Sequence, residues 1–283
     1  IVGRNTRVRA NQPINIPGVE ERLTRRRQVP PLCGNVAEIS DDIAGNRNRV
    51  AVTFRQMVGY TTDAAVHFTA AERFYADRVT LNGGTVVEKL RTPLRSPDFA
   101  PVLQKVRDAS PQALFVFLPS GQGAAFMKQF AERGLDKAGI RLIGTGDITD
   151  DDQLNDMGDV ALGVVTAHHY AASHKSAVNQ KFVEAFKKAN NGMRPNFMAV
   201  GGYDGMRVIV EGLKASKGAG GDALLAGMKG QIFESPRGPV LIDAQTRDIV
   251  HDMYVRKVEK VGGELHNVEF DAVKAMKDPG KSK

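Results

Sequence analysis

The sequence predicts an α/β protein built on a parallel sheet, and three observations carry that prediction. Strand-like and helix-like segments alternate from Pro111 to Tyr170. The strand-like blocks are short, continuously apolar and rich in β-formers, which is the pattern of strands covered on both faces. Each block empties into small or polar residues: Ala113–Leu118 into Pro119–Gly123, Arg141–Gly144 into Thr145–Asp147, and Gly163–Ala167 into His168–Tyr170. Ligands of open α/β sheets bind just beyond the carboxyl ends of the strands, so these three exits form a candidate pocket.

The elements follow in order. Residues 1–48 are rich in Arg, Asn and Pro, with Arg25–Arg27 and the pair Pro30 and Pro31, and read as irregular chain. No Lys precedes Lys89, so basic-residue usage also shifts there. Val50–Val52 reads as a strand. Ala64, Phe68, Ala71, Tyr75 and Val79 fall on one helical face, which Gly83 and Gly84 terminate. Thr85–Val87 is the next strand, and Phe99–Ala109 a helix with Val102, Leu103 and Val106 inward. A helix from Gly123 to Arg133 follows the first strand exit. The acidic run Thr149–Asp152 reads as a second helix start, because carboxylates there complement the helix dipole. Strand–helix alternation of this kind implies parallel strands with right-handed crossovers. Beyond Tyr170 come helices over Asn179–Asn190, Phe197–Ala215 and Asp222–Lys229, the last with Asp222 as N-cap. Pro239–Ile242 and Ile249–Val258 read as a closing strand pair. The tail beyond Phe270 is polar and reads as loose chain.

Composition bounds the function. The 283 residues carry a formal charge of +7, but there is no Trp and aromatics reach only 6%, so stacking platforms for nucleic acid are sparse and none is expected as a partner. Cys33 is the one cysteine, which excludes an intrachain disulfide and a cysteine-based zinc site. No 18-residue apolar run occurs. No signal-peptide pattern stands at the start, and Ile1 as first residue reads as a processed or shortened chain.

Motifs for catalysis are sparse. No Gly-x-Ser-x-Gly, Walker A or His-Glu-x-x-His pattern occurs, so the chain does not read as an enzyme. Gly121 and Gly123 between strand and helix mimic part of a dinucleotide fingerprint, but Phe126 stands where a small residue should allow close packing. His168, His169 and His174 do not form a metal set, because adjacent strand residues point to opposite faces. No metal and no cofactor are expected.

Four segments carry a family resemblance: Phe117–Gly123, Ile143–Asp147, Arg194–Met206 and Glu234–Pro239. They resemble periplasmic solute-binding proteins of branched-chain amino acid ABC transporters, the leucine/isoleucine/valine-binding type. The resemblance is dense from Gly83 to Lys281, weaker from Arg49 to Asn82, and absent before Arg49. It implies a type I periplasmic-binding-protein-like fold: two Rossmann-like lobes with parallel sheets, here with the first lobe incomplete because its opening βα units have no match. On that template residues 49–169 plus 234–283 form the second lobe. Residues 170–233 are the helical remainder of the first, and His169–Ala171 and Phe233–Pro236 are candidate hinges. The implied role is capture of a small amino acid or related carboxylate in an interlobe cleft, for delivery to a membrane ABC permease in the periplasm. The alternatives are a dinucleotide-dependent enzyme using Gly121 and Gly123, or an inactive truncated fragment.

The resemblance also nominates binding residues. Gly146 falls where the family carries an acid that holds a ligand's ammonium group, and Asp147 stands one residue later. Asp147 alternatively caps the turn. Ser120 and Gly121 offer backbone N–H groups to a ligand, or form a simple tight turn. Tyr170 sits at a chain crossing where its ring would face the cleft, or packs at the surface. Tyr60 falls within a residue of a pocket tyrosine, or packs in the core.

Overall fold

The computed structural model describes residues 49–56, 75–93 and 98–278. The sequence readings for residues 1–48, for Tyr60 and for the helix positions Ala64, Phe68 and Ala71 lie outside them.

A parallel sheet in the order β2-β1-β3-β4-β5 is the centre of the fold, with β1 at Arg49–Gln56, β2 at Thr85–Pro93, β3 at Ala113–Phe117, β4 at Arg141–Thr145 and β5 at Val165–His168. Both faces are covered, as continuous apolar strands require. On one face Leu114, Val116 and Leu118 meet α1 (Ala100–Ala109) and α2 (Gly123–Glu132) through Phe99, Leu103, Val106, Phe126, Met127 and Phe130. On the other, Ala113, Phe115 and Ile143 meet Tyr75 and Val79 of the helical residues 75–81. The two sets alternate along β3, as the period of a strand dictates. Tyr75 stacks on Phe115 with ring centroids 4.0 Å apart.

Antiparallel strands close the sheet beside β5. The strand β8 (Ile249–Val261) pairs β5 through Tyr254–Lys257 and β9 (Glu264–Met276) along most of its length, while its first residues pair β7 (Gly238–Ile242), which pairs β6 (Ile232–Ser235). The helices α3 (Ala177–Ala189), α4 (Phe197–Ala215) and α5 (Gly221–Met228) accompany this second group. The Asn196 side chain caps α4 by accepting from the N–H groups of Met198 and Ala199, and Ser176 caps α3.

The structure corrects several readings. No α-helix forms between β4 and β5. Three short 3₁₀ turns stand there, at Gly146–Thr149, Leu154–Met157 and Asp159–Ala161. The acidic run is turned inward to tertiary partners instead of outward to a helix end: Thr149 offers its carbonyl to Asn267, and Asp151 its carboxylate to Asn267 and the Ala172 N–H. Gly220, not Asp222, is the N-cap of α5. The tail is not loose, because β9 runs on to Met276. Asp252 accepts from the Ala275 N–H and from Lys274, and Asp243 pairs with Lys277. The candidate hinge Phe233–Pro236 begins within β6.

Candidate functional site

The exits of β3, β4 and β5 come together against the start of α4. Ser120, just past β3, donates its hydroxyl to Asp150, and the Asn196 amide approaches the same carboxylate oxygen at 3.5 Å. Asp150 is 3% exposed. Burial, reinforced by the negative charges of Asp152, Asp151 and Asp147, pushes its carboxyl up to about 7 against the opposing Ser120 hydrogen bond. A raised carboxyl favours folding in acid, and that benefit is lost as pH climbs from about 4 through about 7. Asp150→Asn keeps the shape and loses the desolvated charge. It is expected to raise stability at pH 8 by about 4 kcal/mol and to leave stability at pH 4 unchanged. Urea unfolding at the two pH values checks this, and equal effects at both would overturn it.

Gly146 opens the 3₁₀ turn after β4, and its lack of a side chain is used. A Cβ there would stand 2.3 Å from Cγ of His168 and 2.4 Å from Nη2 of Arg256. Arg256 projects from β8 into this space and is fully buried. Its guanidinium donates to the Tyr170 carbonyl at 2.5 Å, to the Gly146 carbonyl at 3.3 Å and to the Thr166 hydroxyl at 3.0 Å from Nη2. Asp151 supplies the nearby negative charge at 3.9 Å. Asn267 of β9 completes the cluster by donating to Asp151 and to the Thr149 carbonyl. One cationic side chain therefore ties β4, β5 and the crossing at Tyr170 to β8.

Above it lies a layer of flat rings. His168 and His169 stack with centroids 4.4 Å apart, and Phe197 at the start of α4 meets their rings edge-on at 4.7 and 5.7 Å. His251 stands 5.4 Å from His169. The expectation that His168 and His169 face opposite ways fails, because β5 ends at His168 and the chain leaves the extended conformation. Burial, then Arg237, His251 and Arg256, holds the His169 imidazole down to about 2. Burial and Arg256 hold His168 well below the usual range, so both rings are neutral at neutral pH. Nδ1 of His168 is buried without a hydrogen-bond partner. Among the described residues no group of His, Cys, Asp and Glu could hold a metal ion.

Arg237, at the β6–β7 turn, stands 2.8 Å from Asp204 of α4, both side chains 6% exposed. The approach lies off the N–H axis, so the pair is ionic and not a linear hydrogen bond. The Tyr254 hydroxyl donates to the Arg237 carbonyl at 2.7 Å.

The nominated residues divide. Ser120 and Asp147 both act on Asp150, the first by its hydrogen bond and the second by its charge, Gly146 adjoins Asp147, and burial pushes the Asp147 carboxyl up. Gly121 is an exposed turn residue with φ of 90°. Gly123 starts α2 so close to β4's exit that a Cβ would stand 2.1 Å from the Ile148 carbonyl oxygen. That close approach serves packing within the chain and leaves no room for a phosphate. Tyr170 is fully buried, with its hydroxyl donated to Asn179 at 3.0 Å. Sequence reasoning missed Arg256, Asp150, Asp151, Asn267 and Phe197. The signal for Arg256 was its place on the strand face of Val250, Tyr254 and Val258, where Asp252 and Arg256 are the charged residues among apolar ones.

The exits of a parallel α/β sheet thus face the start of α4 near the crossing at Tyr170. Residues 52–263 match the family described as periplasmic binding protein, and the chain belongs to that family. It is 42% identical over 214 residues to Leu/Ile/Val-binding protein homolog 6 of Brucella abortus, an alignment covering 74% of this chain and 55% of the relative. The chain thus spans about half the length of the curated relatives it matches. Among solved structures it is similar to an ABC-transporter solute-binding protein of Rhodopseudomonas palustris BisB5 in complex with 3,4-dihydroxybenzoic acid. Identity there is 54%, coverage 87% of this chain and 66% of that one, and the TM-score 0.80. A solute-binding protein of R. palustris HaA2 in complex with p-hydroxybenzoic acid follows at 32% identity, coverage 86% and 66%, and TM-score 0.76.

Proposed function

We propose that this chain is the solute-binding component of an ABC importer and that its solute is an aromatic carboxylate of the hydroxybenzoate class, delivered in the periplasm to a membrane permease. The observation that carries the choice of solute is the filled space at Gly146. Where the resemblance calls for an acid to hold an ammonium group, the His168 ring and the Arg256 guanidinium stand instead. An α-amino acid loses its counter-ion there, whereas a solute without an ammonium group loses nothing. The neutral ring layer of His169, Phe197 and His251 suits a flat aromatic ring. The complexes of the two R. palustris proteins support the same class.

The reading also divides the chain. Residues 49–169 with 234–283 act as one lobe, 170–233 belong to the other, and the solute lies at the crossing beside Ser120, Asp147 and His169. Tyr170 acts from beneath, by fixing the crossing.

Thermal unfolding with a ligand panel tests this. A ligand at about 100 times its Kd stabilises by about 2.7 kcal/mol. 3,4-Dihydroxybenzoate and 4-hydroxybenzoate at millimolar concentration are expected to raise Tm, and leucine, isoleucine and valine to leave it unchanged. A larger rise with leucine would overturn the choice of solute. A rise with NAD or NADP would restore the dinucleotide alternative.

A further inference from the structure

The place proposed for the solute is largely covered by the start of α4. Asp150 is 3% exposed and His168 7%, and Asn196 and Phe197 lie over them. A solute reaches Asp150 and the ring layer only when that end of the helix lifts from the strand exits. Further along, α4 is held on its other side by contacts closed to water. Asp204 meets Arg237, and Val208 packs on Phe233 and Val240. The start of α4 is therefore its freer end, and the residue that fastens it lies just before the cap.

Arg194 stands two residues before the Asn196 cap, and its guanidinium reaches the outer edge of β9. Nη1 donates to the Leu265 carbonyl at 2.5 Å and Nη2 to the Glu264 carboxylate at 2.6 Å. Leu265 is a fixed point, because its N–H donates to Asn155, between β4 and β5, at 2.8 Å. The same edge takes two further contacts at two-residue spacing. The Ser173 hydroxyl donates to the Asn267 carbonyl, and Nδ1 of His174 lies 2.9 Å from the Glu269 carboxylate. These two belong to the chain leaving Tyr170, and the His174 and Glu269 side chains are only 13% and 19% exposed. At the Arg194 end the Glu264 side chain is 56% exposed. An ion pair open to water on one side is readily exchanged for hydration, and a fork that loses one prong loses the geometry that fixes the other. The row on β9 thus has a buried end beside the crossing and a releasable end beside α4.

We infer that Arg194 is a positioning residue for the solute site: its fork on Leu265 and Glu264 is a clasp that seats the start of α4, and release of the clasp opens the way to Asp150 and the ring layer. The inference rests on the solute position proposed above. The clasp itself is a property of the chain alone.

Double electron–electron resonance between two spin labels on the full chain, with no solute added, tests this. The labels go on Lys128→Cys of α2 and Met198→Cys of α4, whose side chains are exposed, in a Cys33→Ser background that removes the one native cysteine. The parent is expected to give one narrow distance. Arg194→Met is expected to add a second, longer one, because loss of a charge-assisted hydrogen bond moves the ratio of lifted to seated helix by about ten- to a hundredfold. Arg194→Lys keeps a charge opposite Glu264 without the fork, and its distances are expected to fall between the two. Should Arg194→Met fail to fold, Glu264→Arg reads the same clasp from an exposed position, since it sets a second cation against the guanidinium. Two results would overturn the proposal. One is a longer distance present in the parent in the same proportion as in the variants, which shows that the helix lifts without regard to Arg194. The other is a single narrow distance in every protein, which shows that the start of α4 does not lift. The ligand panel decides the solute separately, so failure of the solute assignment leaves these distances unaffected.

Discussion

Arg256→Met is expected to destabilise the protein by about 3–5 kcal/mol, the cost of breaking a buried pair from one side. The guanidinium is 1% exposed and serves the Tyr170 and Gly146 carbonyls, the Thr166 hydroxyl and the Asp151 charge. Removing it strands two buried carbonyl oxygens and leaves Asp151, whose carboxyl burial already pushes up, without its compensating cation. Lysine is not expected to rescue, because one ammonium cannot reach partners on β4, β5 and the crossing that a planar fork spans. Adding Asp151→Asn to Arg256→Met should recover part of the loss by removing the stranded charge, while the amide still meets Asn267 or the Ala172 N–H. Urea unfolding of the single and double variants measures the coupling. Additive losses would show that the two side chains are not paired.

His169→Gln is expected to make the protein more resistant to acid by about 3 kcal/mol between pH 6.5 and pH 4.5. In the unfolded chain an imidazole takes up a proton near 6.5, whereas folded His169 does so only near 2. The folded pKa is depressed, so the unfolded state binds more protons below 6.5. The stability that His169 permits above that pH is therefore lost as pH falls. Each unit costs about 1.36 kcal/mol. Asp147, Asp150 and Asp151 act in the opposite sense because burial raises their carboxyls. Their contribution is common to parent and variant and cancels in the difference. Unfolding free energies of both proteins from pH 8 to pH 4.5 are the measurement. Parallel curves would show that the His169 ring is open to water and protons in the folded state.

The legible part of this molecule was the part governed by local pattern. Ala113–Leu118 and Arg141–Gly144 announced buried strands because both neighbours of each residue were apolar, and the structure covers both faces of β3 as that pattern demands. The inward set Val102, Leu103 and Val106 of α1 followed from helical periodicity. The three helices beyond Tyr170 lie within two residues of their predicted starts. The family was also legible, since its motifs are contiguous runs of residues. The failures share a cause. The acidic run at Thr149–Asp152 looked like a helix start, and the polar stretch after Phe270 looked like loose tail. In both places the polar groups are used by partners beyond the local window: Asn267, more than a hundred residues on, for Thr149 and Asp151, and Asp252 and Asp243, 22 to 34 residues back, for Lys274, Ala275 and Lys277.

The sequence by itself determined the parallel α/β architecture and set Ser120, Gly146 and Asp147 just beyond the ends of its strands. Hydrophobic periodicity and turn chemistry act over a few residues, so a linear reading reaches them. Only the tertiary structure decided what occupies the space at Gly146. Filling it takes a ring from the end of β5 and a guanidinium from β8, more than a hundred residues on. Burial then decides their charge, leaving the imidazoles neutral and the cation fixed by carbonyl oxygens. Desolvation is a property of the packed interior, and no property of residue 146 or 256 alone contains it.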